Sequence, residues 1–238
     1  MHGSSSTAES NWEALIERLS TNWRVIAPDL PGSGETEDAG GVLEIEYLAQ
    51  CVEEAAASAD VASYHVVGYS LGASVASVLA ATRPEKVRSL VLFAGWVESK
   101  GREKFLFELW QRLFKKDREL LARFFILTGF SPAFYASASE KLLEKTVKMT
   151  LLPEGSPRHF ELDSRLNLRP MLAAIEAPAL VVGFRHDTYL PLSHSQDLKE
   201  AIKNAEYLEL DGGHLLPYED PNVLGDVIES FLAKRSLL

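Results

Sequence analysis

The stretch YHVVGYSLGASVASVLAA, residues 64–81, decides the fold. It begins with β-branched residues, as a buried strand does, and continues from Leu71 with small apolar residues at helical spacing. The pattern G-x-S-x-G, read here as GYSLG at residues 68–72, lies where the strand would turn into the helix. A serine on so sharp a turn holds its Oγ above the sheet edge, and the N–H of Leu71 at the helix start points toward developing negative charge. Ser70 is therefore the candidate nucleophile.

Further runs of β-branched and aromatic residues surround this stretch and predict a parallel sheet. Besides the strand over 64–70, the predicted buried strands are WRVIAPD (23–29), VRSLVLFAG (87–95), ALVVGFRHD (179–187) and AEYLELDGG (205–213). Helices are predicted over 45–57, 71–81, 192–203 and 221–234. Strands that alternate with helices indicate an α/β fold, with a mostly parallel sheet covered by helices on both faces.

One segment interrupts the alternation. Residues 97–170 have no strand-like run and carry apolar residues at helical spacing, among them Phe107, Trp110 and Phe114. We expect a helical cap over 97–170, inserted into a core made of residues 1–96 and 171–238.

Composition narrows the function classes. The 238 residues are 46% hydrophobic, which suits one substantial core, and the net charge of −10 argues against a nucleic-acid or anionic-membrane surface. Cys51 is the single cysteine, so no intrachain disulfide can form, and a cytoplasmic location is expected. No apolar run reaches the length of a membrane span, and residues 1–10 lack the features of a signal peptide.

A serine nucleophile needs a base and an acid that orients the base. His214 follows the last predicted strand in LDGGHLLPYEDP, and Asp187 follows the strand before it in VVGFRHDTYLP. The order Ser, Asp, His is the one that a G-x-S-x-G serine uses in this architecture. No His, Cys and carboxylate cluster has metal-ligand spacing, so neither a metal nor another cofactor is expected.

Taken together, these motifs resemble the α/β-hydrolase superfamily, in particular its small capped esterases, lactonases and related acyl-processing enzymes. The resemblance rests on His2-Gly3-Ser4, WRVIAPDLPGSGET (23–36), GYSLG, GFRHDTYLP (183–191) and GGHLLPYEDP (212–221), which occur in the family's order. It implies that Ser70 is the nucleophile, His214 the general base and then acid, and Asp187 the orienting carboxylate. It also implies an oxyanion hole made by the N–H groups of Leu71 and Ser4.

The chain departs from the family at its first residues. In the family the His-Gly pattern ends a strand in the middle of the sheet, whereas only Met1 precedes His2 here. We expect that Met1 is an internal methionine and that the natural chain supplies about 20 more residues, as an edge hairpin and a central strand require.

Aromatic residues suggest what the site accepts. Tyr69 precedes the nucleophile, Trp96 follows a strand end, and Trp110 lies in the predicted cap, so these three are expected to line the pocket and favour an apolar or aromatic acyl group. Basic residues of the cap form either a solvated face or a docking patch for an acidic carrier protein or a phosphopantetheine arm: Arg102, Lys104, Arg112, Lys115, Lys116 and Arg118.

Three functions stay open at this point. The first is hydrolysis of a carboxylic ester, lactone or thioester through an acyl-Ser70 intermediate. The second is acyl transfer, in which a carrier thiol, alcohol or amine resolves the same intermediate. The third is a non-catalytic ligand-binding receptor on this fold, since fold alone does not settle function. The expected partner is a small acyl substrate, free or carrier-bound, and a homodimer is compatible with the sequence.

Overall fold

The computed structural model describes residues 1–38, 40–150 and 152–235. Within them the sheet has four strands: β1 Tyr64–Tyr69, β2 Val87–Phe93, β3 Ala179–Phe184 and β4 Ala205–Leu210. They lie side by side in the order β1-β2-β3-β4, and each neighbouring pair is parallel. The predicted parallel sheet is confirmed.

Helices connect the strands and cover both faces of the sheet. They are α1 Ala8–Leu19, α2 Ile45–Ser58, α3 Leu71–Thr82, α4 Gly101–Lys116, α5 Arg118–Gly129, α6 Pro132–Ser137, α7 Glu140–Met149, α8 Ser156–Arg165, α9 Arg169–Leu172, α10 Leu192–Ala201, α11 Leu216–Glu219 and α12 Pro221–Ala233. The four predicted helices are found as α2, α3, α10 and α12, each ending within two residues of its predicted end.

Alternate residues of the central strands build two cores. Leu90 and Leu92 of β2 pack on one face, with α2, α3 and α10, while Val91 and Phe93 pack on the other, with α1 and α12. Because successive side chains of a strand point to opposite faces, a strand between two helical layers must be apolar on both. This explains why β3 is buried at every position.

The first helix, α1, was not predicted. Thr7 caps it by accepting from Ser10 N, and the Ser10 side chain bonds back to Thr7 N, which satisfies two of the free N–H groups at a helix start. Its buried face includes Trp12 and Leu15, three residues apart. The capping pattern of Thr7 and Ser10 and the spacing of Trp12 and Leu15 are the two sequence signals that indicate this helix.

The predicted strand over 23–29 is wrong. Residues 24–30 carry no regular structure, and a cavity of about 340 Å³ separates this segment from β1. A strand needs a neighbour about 4.8 Å away to bond its N–H and C=O groups. Of the residues that the structure describes, Met1 is the one that bonds the open edge of β1, where its amine donates to Val67 O (2.6 Å) and its carbonyl accepts from Tyr69 N (3.1 Å).

β4 is a strand but not a buried one. Its first five residues alternate between half-buried and exposed, and the sixth is half-buried, whereas the sequence predicts full burial. It is one of the two edge strands of the sheet and has a neighbouring strand on one side only. The predictions for all four observed strands, β4 included, run one to three residues too far at the carboxyl end. These extra residues lie in the loops that carry the candidate site.

Among the described residues six helices, α4 to α9, lie between β2 and β3, where a simple crossover would have one. They hold apolar contacts of their own, including a cluster of Ala122, Ile126, Phe130 and Val147. Helices are thus inserted where the sequence predicts them, while the domain boundaries at 97 and 170 stay a prediction. Each helix in the described parts of the chain is too short or too polar to cross a membrane.

Candidate active site

Ser70 lies on the turn between β1 and α3 and has a strained backbone. Its φ of 54° and ψ of −121° are rare for a residue with a side chain. The flanking glycines make the turn possible, since a Cβ on Gly68 would lie 2.2 Å from the carbonyl oxygen of Gly72, and one on Gly72 would lie 2.3 Å from that of Met1. The turn therefore requires glycine two residues before and two residues after the serine.

His214 lies beside this serine. Its Nε2 is 3.1 Å from Ser70 Oγ, and its Nδ1 is 2.6 Å from Asp187 Oδ2. A proton on Nδ1 donates to the carboxylate and leaves the Nε2 lone pair free to accept the serine proton. The three residues are 70, 187 and 214 in the chain, and the structure brings them together at the carboxyl ends of β1, β3 and β4.

Asp187 is fixed on both oxygens. Oδ1 accepts from the backbone N–H groups of Tyr189 and Leu190, each at 2.8 Å, while Oδ2 faces the imidazole. The Asp187 side chain is fully buried and that of His214 is 6% exposed. Burial strengthens the interaction of the carboxylate with any positive charge that forms on the ring.

The loop of His214 is held from two sides. Tyr69 OH donates to His214 O at 2.8 Å, and Gly213 N donates to Glu219 Oε1 at 3.1 Å. Glu219 also accepts from the N–H and hydroxyl of Ser131 in the inserted helices. Burial raises the pKa of Tyr69 well above its usual range, so this hydroxyl stays a donor.

The loop of Gly3 and Ser4 runs past the nucleophile. A Cβ on Gly3 would lie 3.2 Å from Ser70 Cβ, so the loop is in direct contact with the serine. Leu71, fully buried, is the first residue of α3. Ser4 and Leu71 thus belong to the two segments that flank Ser70. The role of their backbone N–H groups as oxyanion donors stays a prediction.

Side chains that the sequence analysis missed hold this loop. Asn11 of α1 accepts from Gly3 N at 2.9 Å and donates to Tyr218 OH at 2.6 Å. On the other side, Ser4 Oγ donates to Asp163 Oδ2 of α8 at 2.5 Å. Asn11 and Asp163 are polar residues on the buried faces of the amphipathic helices α1 and α8. A polar residue at the spacing of the apolar face was the one signal that the sequence offered for each.

His2 supports the same loop as a neutral ring. Nδ1 donates to Gly3 O at 2.8 Å, and Nε2 accepts from Leu30 N at 2.9 Å, which fixes the tautomer. Burial lowers the pKa of His2 to about 3. The ring therefore positions backbone and carries no charge near neutral pH.

The three predicted pocket residues are all buried. Tyr69 bonds the His214 loop, and Trp96 donates its Nε1 to Ser99 Oγ at 2.9 Å. Trp110 packs edge-on against an aromatic cluster that reaches the site through Tyr189, whose ring centroid is 4.8 Å from that of His214. Contact of these residues with a substrate stays a prediction.

Two of the predicted docking cations already have partners in the structure. Arg102 donates to the carbonyl oxygens of Tyr189 (2.7 Å) and Thr188, next to Asp187. Arg118 forms a two-pronged ion pair with Glu154, at 2.6 and 2.7 Å. A docking role for the basic residues stays a prediction.

Comparison with known proteins identifies the family. A family model described as the alpha/beta hydrolase fold matches residues 1–221. The chain belongs to the α/β-hydrolase family. Among similar proteins, the pyrrolizixenacetamide deacetylase of Xenorhabdus hominickii is 36% identical over 241 residues, covering 100% of this chain and 91% of that protein. The putative carbamate hydrolase RutD of Azorhizobium caulinodans is 28% identical, covering 92% of this chain and 85% of that protein.

Solved structures agree with the family. MGS-M2, an alpha/beta hydrolase enzyme from a Medee basin deep-sea metagenome library, superposes with a TM-score of 0.87 over 98% of this chain and 87% of that one, at 21% identity. At this identity the likeness concerns the fold. The predicted superfamily is confirmed, and the proteins similar to this α/β-hydrolase include a deacetylase and a putative carbamate hydrolase.

Proposed function

We propose that this α/β-hydrolase is a serine hydrolase that cleaves a carboxylic ester, lactone or thioester of an apolar or aromatic acyl group through an acyl-Ser70 intermediate. The observation that supports it most directly is the chain of contacts from Ser70 Oγ to His214 Nε2 and from His214 Nδ1 to Asp187 Oδ2, at 3.1 and 2.6 Å. A half-buried serine next to a buried imidazole and carboxylate can be activated at its oxygen near neutral pH.

The first half of the reaction forms the acyl-enzyme. His214 Nε2 takes the proton of Ser70 as Oγ bonds to the carbonyl carbon, and Asp187 stabilises the imidazolium. The carbonyl oxygen becomes an oxyanion that accepts from the N–H groups of Leu71 and Ser4; loss of one such donor typically costs about 3 kcal/mol of transition-state stabilisation. His214 then gives its proton to the leaving oxygen or sulfur as the bond to the carbonyl carbon breaks.

The second half releases the acid. His214 takes a proton from water, the resulting hydroxide bonds to the acyl carbon, and the proton returns to Ser70 Oγ as the ester bond breaks. An alcohol, amine or carrier thiol in place of water would give acyl transfer from the same intermediate.

Amide deacetylation is a second candidate, and one observation favours it. The relative that shares 36% of its residues with this chain, over the full chain, is named for deacetylating an acetamide. The serine, base and oxyanion donors serve amides as they serve esters, because His214 can protonate a leaving nitrogen. The relative's name thus points to a short acyl group, whereas the aromatic inserted helices point to an apolar one.

The test is acyl-enzyme formation with 4-nitrophenyl esters from acetate to octanoate, together with N-acetylated arylamines. We expect a burst of nitrophenol and a covalent acyl group on Ser70 in the wild type, both lost in Ser70→Ala. Ser74→Ala is the matched control, since Ser74 lies one turn further along, buried in α3, and its hydroxyl has no hydrogen-bond partner in the described structure.

Each outcome has a defined meaning. Turnover that survives in Ser70→Ala would remove Ser70 as the nucleophile. Ligand binding without turnover of any ester or amide would favour the receptor function. Partition of the acyl group between water and added thiol or amine separates hydrolysis from transfer, and the relative rates on the acetylated amine and the ester series separate deacetylase from esterase.

A further inference from the structure

Asp163 is a buried carboxyl group that the proposed chemistry leaves unused. It lies on α8 of the inserted helices and is 1% exposed. Oδ2 accepts the hydroxyl of Ser4 at 2.5 Å, and Oδ1 has no hydrogen-bond partner among the described residues. The backbone carbonyl of Asp163 accepts from Ser99 Oγ at 2.5 Å, so the residue is fixed from behind.

Such a group weakens the fold. Removing a carboxyl from water without an ion pair disfavours its charged form, and burial raises the pKa of Asp163 to about 8. A neutral acid with one oxygen unpaired still costs stability compared with an apolar side chain. The side-chain bond that it does make goes to Ser4, which carries one of the two proposed oxyanion N–H groups.

The loop of Ser4 needs such a contact. Ser5 has a φ of 58°, in the left-handed region that costs a non-glycine residue about 1 kcal/mol or more. Gly3, the residue before Ser4, is held at its N–H by Asn11 and at its carbonyl by His2. Within the described residues, the Ser4 hydroxyl has one hydrogen-bond partner, Asp163 Oδ2. The Ser4 N–H shares a planar peptide with the Gly3 carbonyl that His2 holds, and the Asp163 bond adds a second anchor on the Ser4 side; without it, that peptide is free to tilt and turn the N–H away from the oxyanion.

We propose that Asp163 is a positioning residue for the oxyanion hole, which acts by accepting the Ser4 hydroxyl hydrogen and so fixing the direction of the Ser4 N–H. This inference rests on the proposed function. It makes the inserted helix α8 a part of the catalytic apparatus, because the oxyanion loop takes its active geometry only when α8 is seated against it.

Four variants test the inference on 4-nitrophenyl acetate: Ser4→Ala, Asp163→Ala, their combination and Asp163→Asn. Ser4→Ala removes the hydroxyl and keeps the N–H, and it changes only a half-buried loop residue, so it decides the matter if Asp163→Ala fails to fold. We expect each alanine variant to lower kcat by about 10- to 100-fold, less than or near the loss of a whole oxyanion donor. KM should stay within about threefold, since the bond acts on the transition state.

The combination separates positioning from general destabilisation. Because both single changes remove the same bond, the double variant should lose no more than either single one. Asp163→Asn should restore kcat, because its amide oxygen can accept from Ser4. Affinity for a boronic acid, which forms a tetrahedral adduct on the serine, should fall with kcat, while affinity for the product acid should not. Glu103→Ala is the matched control, since Glu103 is a buried carboxylate of α4 bonded to His194.

Two results would overturn the inference. One is a kcat within twofold of wild type in folded Ser4→Ala; the other is additive losses in the double variant. Absence of Ser70-dependent turnover in the wild type would instead remove the proposed function, and this inference with it, so the two failures are distinguishable.

Discussion

Tyr69 donates its phenolic hydrogen to the carbonyl oxygen of His214 over 2.8 Å. The residue before the proposed nucleophile thus bonds the loop that carries the proposed base, although Tyr69 and His214 are 145 positions apart. Their rings also face each other, with centroids 5.2 Å apart. Because both Tyr69 and Ser70 belong to the end of β1, any movement of this strand end is transmitted to the imidazole together with the serine.

Replacement Tyr69→Phe removes this bond and keeps the ring. We expect kcat to fall about three- to tenfold, in line with roughly 1 kcal/mol for one hydrogen bond, and Tm to fall by a few degrees. Steady-state kinetics and thermal unfolding measure both. Tyr207→Phe on the edge strand β4 is the control, since its hydroxyl bonds Glu209 away from the site. Equal kcat in Tyr69→Phe and wild type would show that the bond does not position His214.

Replacement Asp187→Asn should remove most activity while the fold persists. Oδ1 accepts two backbone N–H groups, so an asparagine must place its oxygen there and its NH₂ toward His214 Nδ1. The imidazole would then carry its proton on Nε2 and could not accept one from Ser70. We expect kcat to fall about 10³- to 10⁴-fold with little change in Tm.

Asp211→Asn is the matched control for this change, because Asp211 is an exposed acid paired with the neighbouring His186 at 3.0 Å. Its kcat should match that of the wild type. Retention of more than a tenth of the activity in Asp187→Asn would contradict the proposed role of the carboxylate.

Replacement Asn11→Ala tests the other support of the oxyanion loop. It leaves the buried Gly3 N–H without its acceptor and removes one of the partners of the Tyr218 hydroxyl, which keeps Ser6 Oγ at 3.1 Å. We expect the free energy of unfolding to fall by about 1 to 3 kcal/mol and kcat to fall as well. Urea unfolding and kinetics measure these. Asn22→Ala in the exposed turn after α1 is the control and should change neither.

The pKa of Asp163 predicts a pH dependence of stability. Burial raises this pKa from 3.8 to about 8, so between these pH values the folded state binds a proton that the unfolded state has lost. The contribution of the protonated Asp163 to the free energy of unfolding is therefore fully present below about pH 4, and it is lost as the pH rises from there through about 8. Asp163→Asn removes this dependence.

Urea unfolding of the wild type and Asp163→Asn at pH 5, 6, 7 and 8 measures the effect. The variant should gain stability relative to the wild type as pH rises, by at most about 1.4 kcal/mol per pH unit. Other titrating groups cancel in this comparison. A difference that stays constant from pH 5 to 8 would show that the carboxyl is not protonated in the folded protein.

Where a structural element could be predicted, its signal was local. The strand and helix at 64–81 and the G-x-S-x-G turn follow from residue types within one short stretch, as do α2, α10 and α12. The segment 23–29 has the same β-branched character, yet it forms no strand, because strand formation needs a bonded neighbour and a cavity lies between it and β1. The half-buried state of β4 likewise depends on its edge position.

The sequence by itself determined the candidates Ser70, Asp187 and His214, since each lies at a strand end in a short characteristic motif and parallel strands bring their carboxyl ends to one edge. Only the tertiary structure decided what holds them in place. Asp163 meets Ser4 across 159 positions, and Asn11 meets Tyr218 across 207. A hydrogen bond between distant residues leaves no periodic trace in the chain, because its partners become neighbours only when the helices pack on the sheet.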